Sequence, residues 1–431
     1  MQFTSIELIT DGEVKEGKEV AIRGWIHRSR SQGGLTFVVV RDATGIMQVA
    51  VKKTNVHEKH FEDATKALLE SAVIAKGKIK KDPRAPGGWE LLASEFEVIH
   101  FSEIFPISKD QSTEFLLDVR HLWLRSRELT AAMKVKATCL EACREFFKKE
   151  KFWETTPPII MSSSAEGGST LFELNYFGKK ASLSQSAQLH LEALCFSLEK
   201  VYAITPSFRA EKSRTNKHLT EYWHIEAEAV HYSQEDNMRL QEELLEFVCH
   251  KVAKERKKEL ELLGRDPKEL SSVKAPFKKI TYNQAVNLLN EKGNAIKWGE
   301  DFGVEEEKLL TEEETQPIFI TNFPKEIKSF YMKEAEDGKT VKCADVLAPK
   351  GFGEIIGGSE RETDVKILEE KLKAQGEDLK NYEWYLDLRR FGSVQHSGFG
   401  LGAERLVRWL CGLEHIRDTT PFPRVINRAY P

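Results

Sequence analysis

Arg209 and Glu211 stand two residues apart in the stretch Phe208 to Glu228. In an extended chain that spacing brings both side chains to one face. A guanidinium beside a carboxylate suits a nucleotide, the Arg for a phosphate and the Glu for an exocyclic amine. The competing reading for an isolated Arg-x-Glu is a surface hairpin laced with salt bridges, since most charged side chains face water. Two later stretches carry related chemistry. The run Gly353 to Arg361 sets Glu354 before the pair Gly357-Gly358 and Arg361 after it. The run Gly398-Phe399-Gly400-Leu401-Gly402-Ala403-Glu404-Arg405 is glycine-rich and then turns helical in pattern. Glycines there let a ligand or a neighbouring strand approach the backbone, and Arg405 can project over a bound base. Gly400-Leu401-Gly402 is not a dinucleotide fingerprint, because the third glycine and the later acidic ribose ligand are missing.

These residues need elements to hold them. Val201 to Ile204 is apolar and β-prone, and Tyr222 to Glu228 alternates bulky with acidic residues, so the pattern predicts a long hairpin. Its first arm should carry Arg209 and Glu211, and its tip, Lys212 to Leu219, is polar and basic. Leu129 to Lys149 places apolar residues at helical spacing, and Phe152 to Ile160 follows with a proline pair. Glu235 to Leu263 reads as a charged amphipathic outer helix, and 274–339 as an α/β insertion of unassigned role. Toward the N-terminus, Glu19–Arg30, Leu35–Asp42, Ile46–Lys52, Ala72–Lys80 and Trp89–His100 read as strands, with a helix over His57–Leu69. Gly24 is a candidate bulge. Five short strands with one helix between the third and fourth match an OB-fold, whose open face binds single-stranded nucleic acid. Candidate face residues are Arg23, Trp25, His27, Arg28, Arg30, Phe37 and Gln48; an aromatic in a strand is more often barrel core than a base platform.

The 431 residues suggest two or three domains, and 40% apolar with 31% charged residues is ordinary for a globular chain with a sizeable core. A net charge of −4 gives no overall attraction to nucleic acid, so RNA must be met by local basic patches. Six cysteines without a Cys-x-x-Cys pair read as reduced and mostly buried, not as a zinc site. Met1 to Glu13 lacks the basic start and apolar run of a secretory leader, and no apolar run is long enough for a bilayer. A cytoplasmic enzyme with no membrane or DNA partner is the expectation.

The Phe-Arg-x-Glu hairpin at 208–211 and the Gly-x-Gly-x-Glu-Arg strand–helix at 400–405 resemble the second and third signature motifs of class II aminoacyl-tRNA synthetases, in the family's order. Phe152 to Ile160 resembles the first motif, which in the family forms a homodimer interface; an edge strand limited by its prolines is the competing reading. Asp118-Val119-Arg120-His121-Leu122 resembles the family's entry to the catalytic domain. The resemblance covers nearly the whole chain and belongs to the aspartyl/asparaginyl/lysyl branch. It implies an α+β fold: an OB-fold anticodon-binding domain over 1–104, a hinge over 105–128, and a class II catalytic domain over 129–431, an antiparallel sheet flanked by helices. The implied reaction joins an amino acid to ATP as an adenylate, then passes the acyl group to tRNA.

The resemblance also implies roles. Arg209 would hold the α-phosphate and Glu211 the adenine edge, with Tyr222 and Arg405 stacking the two adenine faces. Arg214 and His218 would meet the β- and γ-phosphates. Asp345 and Glu354 would be the magnesium carboxylates, a turn or helix cap being the other reading of Asp345. Glu166, Ser186 and Gln188 would hold the substrate ammonium, and Arg361 the side-chain oxygen. In the barrel, Phe37 would stack the middle anticodon base and Gln48 read its edge, with Arg28 nearby. Aspartyl members carry Lys at the position of Leu191 and Asp at that of Glu226. An amide wants one acceptor and one donor, which Glu226 and Arg361 supply. The resemblance is therefore to the asparaginyl members in their archaeal-like form, with Asp418 and Pro421 adding support. The alternatives are an aspartyl enzyme of relaxed tRNA choice, an asparagine synthetase paralogue, and a non-catalytic RNA-binding relative.

Overall fold

The computed structural model describes residues 2–162, 171–212 and 215–431. The chain divides into two compact units, Met1–Leu116 and Leu117–Pro431.

In the first unit, β1 (Glu19–Gln32), β2 (Leu35–Arg41), β3 (Ile46–Lys52), β4 (Ala72–Lys81) and β5 (Trp89–His100) close a barrel in the order β1-β2-β3-β5-β4. The helix Glu58–Lys66 lies between β3 and β4 in the chain. Period-two alternation explains the closure: Val38, Val40, Met47, Val49 and Val51 are fully buried inside. The bulge in β1 does not fall at Gly24. Its ladder stays regular there, and the register shifts between Ile26 and Arg28. Gly24 is glycine for another reason: a Cβ would collide with the Arg41 carbonyl of the neighbouring strand.

The second unit is built on an eight-stranded, mostly antiparallel sheet. Its strands run in the order Lys278–Thr281, Ile318–Thr321, Cys343–Ala348, Gly353–Glu360, His396–Gly402, Glu221–Val230, Lys200–Phe208 and Trp153–Glu154. The insertion thus supplies the first two strands. The helices Arg127–Lys149 and Gln234–Glu255 cover one face, where Val135, Phe147, Leu244 and Val248 pack on Ile225, Ala227, Phe399 and Leu401. Ser126 caps the first helix, and Ser233 with Asp236 forms a capping box on the second. Since odd-numbered residues of Glu221–Val230 and His396–Gly402 point into this core, the even-numbered ones face the other side.

Two buried charges tie the elements together. Glu404 accepts from Lys136 Nζ at 2.5 Å and from the Trp223 backbone N–H at 2.9 Å. It thereby joins the long N-terminal helix, the return arm of the hairpin and the helix Ala403–Cys411. Arg120 is fully buried and donates to the carbonyls of Arg417, Thr420 and Pro421, with Asp418 3.4 Å away. The stretch read as a hinge is partly helical, with helices at Thr113–Asp118 and Arg120–Trp123. All six cysteines are buried free thiols. Among the described residues no helix is long and apolar enough to cross a membrane.

Candidate active site

Tyr222, His224 and Glu226 of the return arm face a cavity of about 320 Å³ on the sheet side away from the helices. The glycines opposite them explain why the arm can do so. A Cβ at Gly398 would fall inside the Glu228 carboxylate, and one at Gly400 would sit 2.5 Å from His224 Nε2. These glycines make room for side chains of the adjoining strand. Gly357 instead opens on the cavity: a Cβ there would lie 3.5 Å from Glu354 Oε1 and 3.6 Å from Asp345 Oδ1.

At one end of the cavity the Arg361 guanidinium is gripped by Glu228, Nε donating at 3.2 Å to Oε2 and Nη2 donating to Oε1. Nη1 donates to Ser359 Oγ at 2.8 Å, and the Tyr331 ring lies 5.1 Å from the guanidinium. This is a two-pronged pair of buried groups. Burial pushes the Glu228 carboxyl up to about 8 against the pull of Arg361, with Glu192 and Glu226 adding to the rise. Glu226, two residues before, accepts from the Ser186 hydroxyl and from Ala187 N–H at 2.8 Å, with His224 Nδ1 3.4 Å away. Ser186, Gln188, Glu226 and Arg361 all line this cavity. Glu226 and Arg361 are therefore brought together, yet the partner of Arg361 is Glu228, which the sequence reading passed over. Its signal was its place on the same face as Glu226. Leu191 is fully buried in an apolar cluster with Cys195, Val201 and Ala203, and does not line the cavity.

At the other end are Arg209, Glu211, His218, Tyr222 and Arg405. The first hairpin strand ends at Phe208, so Arg209 and Glu211 sit just past it and not within it. They still share a face, 4.0 Å apart, and the Arg209 guanidinium lies 5.7 Å from the Tyr222 ring. His218 Nδ1 bonds the Thr215 hydroxyl, and Nε2 is 3.8 Å from Glu211. Burial, with Arg405, Lys217 and Arg209 around it, lowers His218 to about 4, so the ring is neutral at pH 7. Arg214 and Glu166 lie outside the described residues.

Asp345 and Glu354 meet between these ends. Asp345 pairs with Lys328 at 2.6 Å, and Glu354 with Arg405 at 3.1 Å. Burial and the neighbouring Glu354 raise the Asp345 carboxyl to about 6 against Lys328. For Glu354 the cations win: burial is outweighed by Arg405, Lys328, Lys217 and Arg209, and its carboxyl is lowered. Among the described residues no cluster of three or more His, Cys, Asp or Glu has metal-holding geometry. Two carboxylates facing one glycine-floored gap fit a magnesium ion that draws its other ligands from phosphates and water.

The insertion is part of this wall. Asp301, Lys328, Tyr331 and Met332 line the cavity. Lys217 on the hairpin tip forms a buried pair with Glu307 at 2.6 Å, and Glu307 also accepts from the Glu354 backbone N–H at 2.9 Å. No local pattern announced this, because the contacts join residues 90 and 47 apart in the chain.

On the barrel, Phe37 is half-buried on the outer face, 5.8 Å from the Arg30 guanidinium, and is not in the core. Gln48 lies on the same face, two residues along the neighbouring strand from the partner of Phe37, and donates to Glu90 at 2.6 Å. Val39, two residues after Phe37, is the direct partner of Gln48 on one side and of Arg28 on the other. Arg28 and Arg30 are exposed, as is Trp25. The face thus presents an aromatic ring, an amide and a cationic border over a small-residue floor.

Comparison with known proteins gives this geometry a context. Residues 112–426 match the family described as tRNA synthetases class II (D, K and N), and residues 20–99 match the OB-fold nucleic acid binding domain. The asparagine–tRNA ligase of Thermococcus gammatolerans is 50% identical over 417 residues, covering 96% of this chain and 97% of the relative. That of Pyrococcus furiosus is 48% identical over 433 residues, covering 99% of this chain and 100% of the relative. The crystal structure of asparaginyl-tRNA synthetase from Pyrococcus horikoshii complexed with asparaginyl-adenylate superposes with a TM-score of 0.93 at 48% identity, covering 96% of this chain and 97% of that one. With a family match over most of its length and relatives of this identity, the chain belongs to the class II tRNA synthetases of the D, K and N group.

Proposed function

We infer that the chain charges tRNA(Asn) with asparagine through an asparaginyl-adenylate. The observation that carries the choice of amino acid is the Arg361–Glu228 pair with Glu226 beside it. The one guanidinium is already held by Glu228, with Glu226 lining the same cavity. An amide side chain adds no charge, accepting from Arg361 and donating to an acid. An aspartate would bring a further carboxylate to a buried site whose one cation already fails to hold Glu228 in the ordinary carboxylate range, and like-charge juxtaposition with Glu226 costs several kcal/mol. The names of the close relatives support the same substrate.

The first step needs little acid–base chemistry. The asparagine carboxylate attacks the α-phosphorus of ATP in line, forming a P–O bond as pyrophosphate leaves; the terminal ribose hydroxyl of tRNA then attacks the acyl carbon and AMP departs. Arg209 stabilises charge on the α-phosphate oxygens, and Glu211 accepts from the adenine amine. Tyr222 and Arg405 bracket the base. Arg405 must then exchange its hold on Glu354 for the adenine face. His218 and Arg214 meet the β- and γ-phosphates, the neutral imidazole still having one N–H to donate. Ser186 and Gln188, with Glu166, take the α-ammonium. Asp345 and Glu354 would hold magnesium, which supplies charge neutralisation at the phosphates when bound.

The outer barrel face reads the anticodon, Phe37 by stacking and Gln48 and Arg28 by polar contacts. Homodimerisation through the Trp153 to Ile160 region is supported by an end strand whose Trp153 is 63% exposed, with Ile159 and Ile160 exposed beside it. A cytoplasmic site of action follows from the role in translation. The test of the function is pyrophosphate exchange with each amino acid separately. Asparagine should support it and aspartate should do so about a hundredfold less well, at about 1.4 kcal/mol per tenfold. Equal exchange with both would make the chain an aspartyl or non-discriminating enzyme.

A further inference from the structure

Glu192 lies wholly inside the protein, one turn after Gln188 on the helix Gln188–Leu198. Its carboxylate accepts from the Gln188 side-chain nitrogen at 3.0 Å, the Tyr385 hydroxyl at 2.8 Å and Arg389 Nη2 at 2.6 Å, with His396 Nε2 at 3.0 Å. Of these residues only Gln188 lines the cavity. Burial alone would push the Glu192 carboxyl up, but Arg389, then His396 and Arg361, outweigh it and hold it well below the usual range. Arg389 is fixed in turn by the Glu362 carbonyl at 2.9 Å and the Tyr385 hydroxyl at 3.0 Å.

A carboxylate offers lone pairs and no proton. An amide beside it must therefore present its nitrogen, which turns its oxygen the other way. The two ends of an amide are nearly the same size, so shape alone would not choose between them. Ser186 is oriented by the same logic. Its hydroxyl gives its proton to Glu226 and accepts the Gln188 backbone N–H at 3.1 Å, leaving a lone pair for the cavity. An ammonium group needs acceptors and is repelled by an NH₂ turned toward it.

We propose that Glu192 is a positioning residue that sets the hydrogen-bond polarity of the amino-acid pocket, holding the Gln188 amide oxygen toward the substrate's α-ammonium. Tyr385 and Arg389, both on the helix Glu383–Arg390, keep the carboxylate from turning away. The proposal rests on the reading of Gln188 as an ammonium contact, and the experiment separates the two.

The measurement is equilibrium competition on the full-length enzyme between asparagine and succinamate, which is asparagine without its amine. Wild type should prefer asparagine strongly. Glu192→Gln can donate as well as accept, so it frees Gln188 to flip. It should cut the preference by about ten- to a hundredfold by weakening asparagine and sparing succinamate and ATP. Glu192→Asp keeps the charge and withdraws it from Gln188, and should move the ratio the same way if the Gln variant does not fold. Gln188→Met removes both amide atoms and should lose the preference as well. A ratio that falls in Gln188→Met but holds in both Glu192 variants overturns the role of Glu192 alone. A ratio that holds in all three overturns the reading of Gln188, and the proposal with it.

Discussion

The fit of Glu228 against Gly398 is the tightest constraint at the Arg361 end of the pocket. Gly398→Ala would put a methyl where the Glu228 carboxylate lies. Glu228 must move, and Arg361 loses the grip that orients it. Overpacking of this kind costs about 1–3 kcal/mol of stability, but the larger effect should be on asparagine activation. Pyrophosphate exchange should show a raised KM for asparagine with the KM for ATP little changed; a parallel rise in both would mean that Gly398 matters only for folding. Asp345 supports a second expectation, about pH. Burial and Glu354 already raise its carboxyl to about 6, against the pull of Lys328. Lys328→Met removes that pull, so the carboxyl rises further and more of it is protonated at pH 7. A protonated Asp345 is a poor magnesium ligand. The acid limb of the exchange activity should therefore move to higher pH in the variant, with activity recovering as pH is raised. Superimposable profiles would show that Asp345 does not need its charge.

At the scale of the elements, the helix Arg127–Lys149, the return arm of the hairpin and the helix Ala403–Cys411 are held to one another by Glu404, whose two oxygens reach Lys136 and the Trp223 backbone. Removing one partner of a buried pair leaves the other charge uncompensated, at about 3–5 kcal/mol. Glu404→Ala should lower the midpoint of denaturant unfolding accordingly, and adding Lys136→Met should restore a good part of it. No recovery in the double variant would place the damage in the Trp223 contact instead. The hairpin, the glycine strand and the barrel strands could be read from the sequence because each rests on local periodicity. The period of two in Tyr222 to Glu228 holds in the folded strand, and Phe37 and Gln48 do share the outer face. What could not be read depends on distant pairing. The grip of Glu228 on Arg361 spans more than a hundred residues, as does that of Glu192 on Arg389. Leu191 stands where aspartyl members carry Lys, and its helix turns it into an apolar cluster away from the cavity. The insertion was opaque for the same reason, since Lys328 and Glu307 act only through partners on other strands and loops.

At the scale of the molecule, function needs surfaces beyond the pocket. The end strand Trp153–Glu154 leaves Trp153 exposed, and an obligate interface there would bury more than about 2,000 Å². Sedimentation at low micromolar concentration should give twice the chain mass of 49.3 kDa, and only a monomer would remove the dimer from the proposal. The barrel makes the separation of tasks testable. It has its own core, from Ile22 and Val38 to Phe96, and the cavity draws no residue from it. Adenylation should then be indifferent to the barrel's outer face, while charging should depend on it. Phe37 is the residue to ask, because its ring is half-exposed over a small-residue floor and is absent from the barrel core. A base stacked on an aromatic ring is worth about 1–3 kcal/mol. Phe37→Ala should therefore raise the KM for tRNA about ten- to a hundredfold and leave tRNA-independent pyrophosphate exchange unchanged. Gln48→Ala should weaken discrimination at the base edge more than overall affinity, since Gln48 contributes a polar contact and no stacking surface. If Phe37→Ala lowers exchange and charging together, the ring supports the barrel's folding and the RNA is read elsewhere.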